Sequence, residues 1–255
     1  LKIGYFGDGP WSHKALEQVL ADNTLQVKFV CARNDTPDPI LEIMSTENQV
    51  DFITHPKINS IEFVERLRKY NCDLFVSMSF NQIFSEQVFN LPPLRTINCH
   101  AGKLPFYRGR SVLNWVLING EKEFGITTHF INSKIDQGKI INQKIFKIRK
   151  NDNFKSLLEK CHKHCALLLY KTVKQIQNNN YNALSQSKFS KKFSYFRKRN
   201  EGDEILDLGL TSDRIQNFVR GLVKPGPYAR IKLKNNQILI KEVTILNNKI
   251  KSTFK

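Results

Sequence analysis

Asn98 and His100, two residues apart in the stretch TINCHAGKLPFYRGR (residues 96–110), are the side chains best suited to chemistry in this sequence. An imidazole positioned by a carboxylate can accept a proton, and an Asn amide can donate to an oxygen that is gaining negative charge. Asp136, in Ile135-Asp136-Gln137-Gly138 where glycine marks a tight loop, is the candidate carboxylate. Together the three suit attack of an amine on a carbonyl carbon. Residue types alone leave a core histidine with satisfied hydrogen bonds as an open reading.

Two other groupings lead elsewhere. Gly7-x-Gly9 looks like the start of a dinucleotide fingerprint, but Ser12 holds the third glycine position and the second apolar run ends Cys31-Ala32-Arg33 without an acid. Backbone amides at a helix N-terminus still favour anions, so residues 9–12 are candidates for holding a diphosphate; an ordinary strand-to-helix turn is the other reading. Cys161 and Cys165 are spaced to share a helix face with His162 and His164 nearby, yet they fall on an apolar stripe. A core role needs nothing more, whereas zinc needs ligands the sequence does not name, so no metal is expected.

The scaffold for these groups is legible as alternation. Residues 2–6 are apolar and β-type, break at Gly7-Asp8-Gly9-Pro10, and precede Ala15, Leu16, Val19 and Leu20 at helical spacing. Strands are expected at 27–32, 51–54, 74–78 and 94–98, separated by helices near 40–47, 61–68 and 83–89. A helix at 112–118 and strands at 125–130 and 140–148 follow, the last patterned as a half-exposed edge. This predicts an α/β fold, Rossmann-like, with a mostly parallel sheet flanked by helices on both faces. Phe154, Leu157, Leu158, Cys161, Cys165, Leu168, Leu169, Val173 and Ile176 mark a long amphipathic helix with Asp152 or Asn153 as its N-cap. A basic segment to Arg199, a helix near 213–222 and β runs at 228–233, 237–245 and 249–254 complete the chain, the runs set apart by Asn pairs that suit hairpin turns. Residues 1–200 read as the main domain and 201–255 as a small, mainly β C-terminal appendage.

The chain of 255 residues, 40% of them hydrophobic, can fill a core. Forty Lys and Arg against 23 Asp and Glu give a formal charge of +17. Charge of this size concentrates anions, which makes nucleic acid, acidic lipid and phosphorylated metabolites candidate partners; a general Lys, Asn and Ile bias with solvated charges accounts for it equally. No apolar run approaches the roughly 18 residues of a bilayer span. The opening LKIGYFGDG reads as strand and turn, not as a leader, and a soluble, cytoplasmic protein is expected. Five cysteines without framework spacing fit free thiols in a reducing compartment.

Asn98-Cys99-His100, Leu104-Pro105, Arg108-Gly109, Gly120, Gly125-Ile126-Thr127 and Asp136-Gln137-Gly138 follow one another in that order. The pattern resembles the formyltransferases that use 10-formyltetrahydrofolate, over about residues 1–199. The resemblance implies a general-base role for His100, orientation of its imidazole by Asp136 and oxyanion stabilisation by Asn98. It extends to VSMSFNQIF (residues 76–84), similar to the family's folate-binding strand end and loop. Ser79, Phe80, Gln82 and Ile83, with Gln137 and Gly138, are therefore the expected contacts of 10-formyltetrahydrofolate. Tyr195, Arg197 and Arg199 before Gly202-Asp203 are similar to a further family segment, in which the last two residues stand in the order Asp-Gly.

Family members that act on tRNA usually carry Ser and Leu where this chain has Gly102 and Lys103. The part beyond Ile205 is also short for a tRNA-gripping barrel, and His-Ala-Gly-Lys-Leu-Pro is similar to the loop of bacterial nucleotide-sugar N-formyltransferases. The resemblance thus implies transfer to the amine of a nucleoside-diphosphate-linked amino-deoxysugar, as in O-antigen synthesis. The small β appendage is a candidate for homodimerisation or substrate contact, and nucleic acid is the less favoured partner. Trp11, Ser12, Lys103, Tyr195 and Arg197 are the candidate sugar-nucleotide contacts, by cationic or stacking chemistry. Trp11 and Tyr195 as core aromatics and Arg197 as a solvated charge are the alternatives. A methionyl-tRNA formyltransferase, and a formyltetrahydrofolate hydrolase using the same triad on water, are the rival functions.

Overall fold

Strand β1 (Lys2–Gly7) shows how the central sheet acquires two buried faces. Ile3 and Tyr5 enter one apolar cluster and Phe6 a second, as the two-residue period of a strand requires. The computed structural model describes residues 1–234, 236–246 and 249–254. After β1 come α1 (Gly9–Leu20), β2 (Gln26–Ala32), α2 (Pro39–Glu47), β3 (Asp51–Thr54), α3 (Ile61–Lys69) and β4 (Leu74–Met78). Next are α4 (Glu86–Phe89), β5 (Thr96–His100), β6 (Arg108–Gly109), α5 (Val112–Ile118), β7 (Glu123–Phe130), β8 (Ile140–Lys147) and α6 (Phe154–Gln177). The chain ends with β9 (Tyr195–Phe196), α7 (Ser212–Arg220), β10 (Ala229–Lys232), β11 (Gln237–Leu246) and β12 (Lys249–Phe254).

The main sheet has the order β3-β2-β1-β4-β5-β7-β8. Its first five strands are parallel, and β7 and β8 run antiparallel to their neighbours. The larger cluster draws Leu16 and Val19 of α1, Leu41 of α2, Val116 and Leu117 of α5, and Leu157, Leu169 and Val173 of α6 onto one face. Phe63 and Leu67 of α3 and Val88 and Phe89 of α4 cover the other, where Phe6, Phe29 and Phe75 meet edge to face. Chain order reverses between β1 and β4, the place where open α/β sheets leave a crevice beyond the strand C-termini.

Most boundaries fall within two residues of the sequence expectation, and two that matter for the site differ for a local reason. The helix expected at 83–89 shortens to α4 because Asn59 holds the preceding residues: its Nδ2 donates to the Ile83 carbonyl and its Oδ1 accepts from the Ser85 amide, both at 2.8 Å. The strand expected at 94–98 is shifted to β5, since Arg95 sits in a turn with φ +68°. His100 is therefore a strand residue, as Asn98 is.

The C-terminal elements build a third cluster of Leu206, Ile215, Val219, Leu222, Ala229, Ile240 and Val243, with Ile118 of α5 packed against it. The β10, β11 and β12 strands form an antiparallel sheet. Asn114 Nδ2 donates to the Gly221 carbonyl at 2.8 Å, and Arg220 Nη1 to the Arg149 carbonyl at 3.2 Å, which ties this part to α5 and the start of α6. Of the Asn pairs expected at its turns, Asn235, Asn247 and Asn248 lie outside the described residues. No described helix is long and apolar enough to cross a membrane.

Candidate active site

Beyond the C-terminal ends of β1, β4 and β5 lies a cavity of ≈ 950 Å³. Asn98 and His100 are two apart in β5, so both leave the same face of the sheet, and both line this cavity. Cys99 between them points the other way, with Sγ 3.7 Å from the Cys165 carbonyl of α6. Cys161 and Cys165 are wholly buried there. Antiparallel pairing with β7 sets His129 directly opposite Asn98. Asp136 follows β7 in a turn with φ +52°, and it too faces the cavity.

The hydrogen bonds of the two imidazoles define their roles. His100 Nε2–H donates to the Tyr107 carbonyl at 2.6 Å. Nδ1 is then the accepting nitrogen of the neutral ring, 3.6 Å from Asp136 Oδ2. His129 Nδ1–H donates to the Phe130 carbonyl at 2.8 Å, which leaves Nε2 3.4 Å from Asn98 Nδ2 and 3.5 Å from Asp136 Oδ1. The Gly109 amide donates to Asp136 Oδ2 at 2.8 Å. Burial pushes the Asp136 carboxyl up, but the charge that His100 carries when protonated, the hydrogen bond and charge of a protonated His129 and the Gly109 amide together hold it well below the usual carboxylate range. Gly102 keeps the loop tight: a Cβ there would lie 2.4 Å from His100 Nε2 and 2.5 Å from the Tyr107 carbonyl oxygen, across the bond that fixes the ring.

His129 is the cavity residue that sequence reasoning missed. Its signal was an imidazole inside the otherwise apolar and hydroxyl-bearing run EFGITTHF, where a buried ring must find partners.

The other sequence-predicted residues divide. Ser79, Phe80, Gln82 and Ile83 line the cavity, beside Met78, Phe84 and Ile131. The Gln82 amide is engaged in shaping the loop, with Oε1 accepting from the Ile58 amide at 3.1 Å and Nε2 donating to the His55 carbonyl at 2.8 Å. Gln137 and Gly138 are not among the lining residues. Gly138 instead lets the loop lie on β7, since a Cβ there would stand 1.6 Å from the Phe130 carbonyl oxygen. Replacing Gly138 by Ala is expected to cost about 1–3 kcal/mol by overpacking, read as a lower urea midpoint at unchanged slope.

Trp11 and Tyr195 line the cavity with Phe154, Leu158, Lys198 and Pro225. Trp11 also meets His162 edge-on at 4.8 Å. Ser12, Lys103 and Arg197 are not among the residues that line the cavity. Ser12 is fully buried, its Oγ donating to the Gly9 carbonyl at 3.0 Å. The Gly9 amide is itself taken by Asp38 Oδ2 at 2.8 Å, so a protein carboxylate occupies the helix terminus read as a diphosphate cradle. Lys103 pairs with Glu123 on β7. Arg197 makes a two-point ion pair with Asp203, both bonds at 2.7 Å.

The sequence pattern of the family described as "Formyl transferase" matches residues 5–173. The chain belongs to the formyl transferase family. Among relatives of this formyl transferase, the bifunctional polymyxin resistance protein ArnA of Wigglesworthia glossinidia brevipalpis is 38% identical over 190 residues, covering 74% of this chain and 29% of that protein. A methionyl-tRNA formyltransferase of Staphylococcus epidermidis is 30% identical over 257 residues, 97% of this chain and 81% of that one. The fold is that of the N-formyltransferase of Helicobacter canadensis, solved in complex with folinic acid and dTDP-3-aminofucose: TM-score 0.75 at 23% identity, over 97% of this chain and 88% of that one.

Proposed function

We propose that this formyl transferase moves the formyl group of 10-formyltetrahydrofolate to the amine of a nucleoside-diphosphate-linked amino-deoxysugar. The observation that carries the reading is one cavity lined by three sets of residues: Asn98, His100 and Asp136; the β4 loop; and a wall bearing Trp11, Tyr195 and Lys198. Met78, Phe80, Phe84 and Ile131 beside the turn at Ser79, which has φ +62°, suit a flat pterin ring with backbone groups at its edge. Trp11 and Tyr195 offer stacking surfaces, and Arg110, Lys134 and Lys198 place cations around the same cavity for phosphates. The likeness to a fold solved with folinic acid and a dTDP-amino sugar supports both halves.

In this mechanism the neutral sugar amine attacks the formyl carbon, and the carbonyl oxygen becomes an oxyanion that accepts from Asn98 Nδ2. The amine's proton passes to His100 Nδ1, the nitrogen left as an acceptor by the bond to Tyr107. The resulting imidazolium is stabilised by Asp136. Collapse of the tetrahedral intermediate breaks the bond from the formyl carbon to N10, which receives the proton back. His129 Nε2, the accepting nitrogen of the neutral ring, receives the Asn98 Nδ2–H and so orients the amide, and on protonation it faces the Asp136 carboxylate.

The test is incubation with 10-formyltetrahydrofolate and a panel of dTDP-, GDP- and UDP-linked 3- and 4-amino sugars. A mass gain of one formyl group on one of them is expected. Methionyl-tRNA is the control acceptor, because the Staphylococcus epidermidis relative matches nearly the full chain. A ligand with two phosphates should bind with a shallow salt dependence, whereas tRNA, which releases several counterions, gives a steep one. Formyl-tRNA product with a steep slope, or tetrahydrofolate release without any amine, overturns the sugar reading.

A further inference from the structure

Asp136 carries its carboxylate on a left-handed backbone, φ +52°, which costs a residue with a Cβ and persists only where the surroundings fix it. Part of what fixes it comes from the segment after α6. Gln186, in a single 3-10 turn (Gln186–Lys188), is 5% exposed. Its Nε2 donates to the Asp136 carbonyl at 2.7 Å and to the Gly138 carbonyl at 3.0 Å. Its Oε1 accepts from Arg108 Nε at 3.1 Å and Nη2 at 2.6 Å. Two carbonyls on one side and two guanidinium donors on the other leave the amide one orientation.

Arg108 is itself buried, with its guanidinium 4.7 Å over the Phe193 ring. The strand that carries it, β6, pairs with β9. The neighbouring residue, Gly109, donates its amide to the Asp136 carboxylate. The β6 strand thus holds Asp136 twice, directly through Gly109 and indirectly through Arg108 and Gln186. We propose that Gln186 is a positioning residue for formyl transfer: it locks the peptide units around Asp136 so that the carboxylate stays between His100 and His129. Misplacing a reacting group by about 1 Å can cost about 10²-fold in rate, so a residue that touches no substrate can still govern kcat.

The test is a double-mutant cycle. Gln186→Leu and Gln186→Glu are each made in the wild type and in an Asp136→Asn background. Acceptors are a dTDP-linked 3-amino sugar and methionyl-tRNA, with 10-formyltetrahydrofolate as donor. In the wild-type background kcat should fall by about 10- to 100-fold, with KM for donor and acceptor within about threefold. On Asp136→Asn the same change should cost less than about threefold, because the group it positions is already gone. Gln186→Glu keeps the bond to Arg108 and serves if the Leu variant fails to fold. Activity within twofold of wild type overturns the proposal, as does a loss that multiplies in full on Asp136→Asn, the signature of a merely structural role. The acceptor proposal is judged separately, by which amine the wild-type protein formylates.

Discussion

His100→Asn is expected to lower kcat by about 10² to 10⁴, the range for loss of a general acid–base group, while KM for the folate and for the acceptor stays within a few fold. The argument rests on which nitrogen is available. His100 Nε2–H donates to the Tyr107 carbonyl, so the ring presents Nδ1 as its base, facing Asp136. Asparagine can donate to that carbonyl but offers no basic nitrogen, so substrate shape is served and proton transfer is not. Steady-state kinetics with the amine acceptor found by mass gain, together with folate binding by fluorescence, separate the two effects. Turnover within about fivefold of wild type would remove His100 from the proton path.

The alternation of strands and helices was open to sequence reasoning because each element has its own period. Ile3, Tyr5 and Phe6 alternate as a strand does, and Leu157, Cys161, Cys165 and Leu168 repeat as a helix does. Asn98, His100 and Asp136 could be picked out because their order resembles a family pattern, and the fold brings all three to one cavity. Contacts made across the fold were not legible. His129 reaches the site as a cross-strand partner of Asn98, and no linear spacing encodes that register. The β6 and β9 strands are two residues each, too short to show a period, yet they hold the Asp136 loop. Ser12 and Lys103 stand away from the cavity for the converse reason: their side-chain types suit a phosphate, but Ser12 is turned into the α1 turn and Lys103 is paired with Glu123. A residue type suggests what a side chain can bind; only the fold decides whether another protein group has bound it first.

That distinction gives the Asp136→Asn variant two separable signatures. The first is catalytic: losing the charge that stabilises the His100 imidazolium is expected to reduce kcat by about 10² to 10³, the size of removing one preorganised electrostatic contact. Asparagine retains an acceptor for the Gly109 amide, so the loop keeps its path and KM changes little. The second is a pH dependence of stability. The folded Asp136 carboxyl lies below its ordinary value of 3.8, so the folded state favours the ionised form more than the unfolded chain does. Its contribution is fully present above the unfolded value and is lost as pH falls through the folded one. Urea midpoints should therefore differ most between wild type and Asp136→Asn at neutral pH, and converge as the pH drops below about 4. A difference that stays constant from pH 7 to pH 3 means that Asp136 is not held as a carboxylate by His100, His129 and Gly109, and the electrostatic account of the site fails with it.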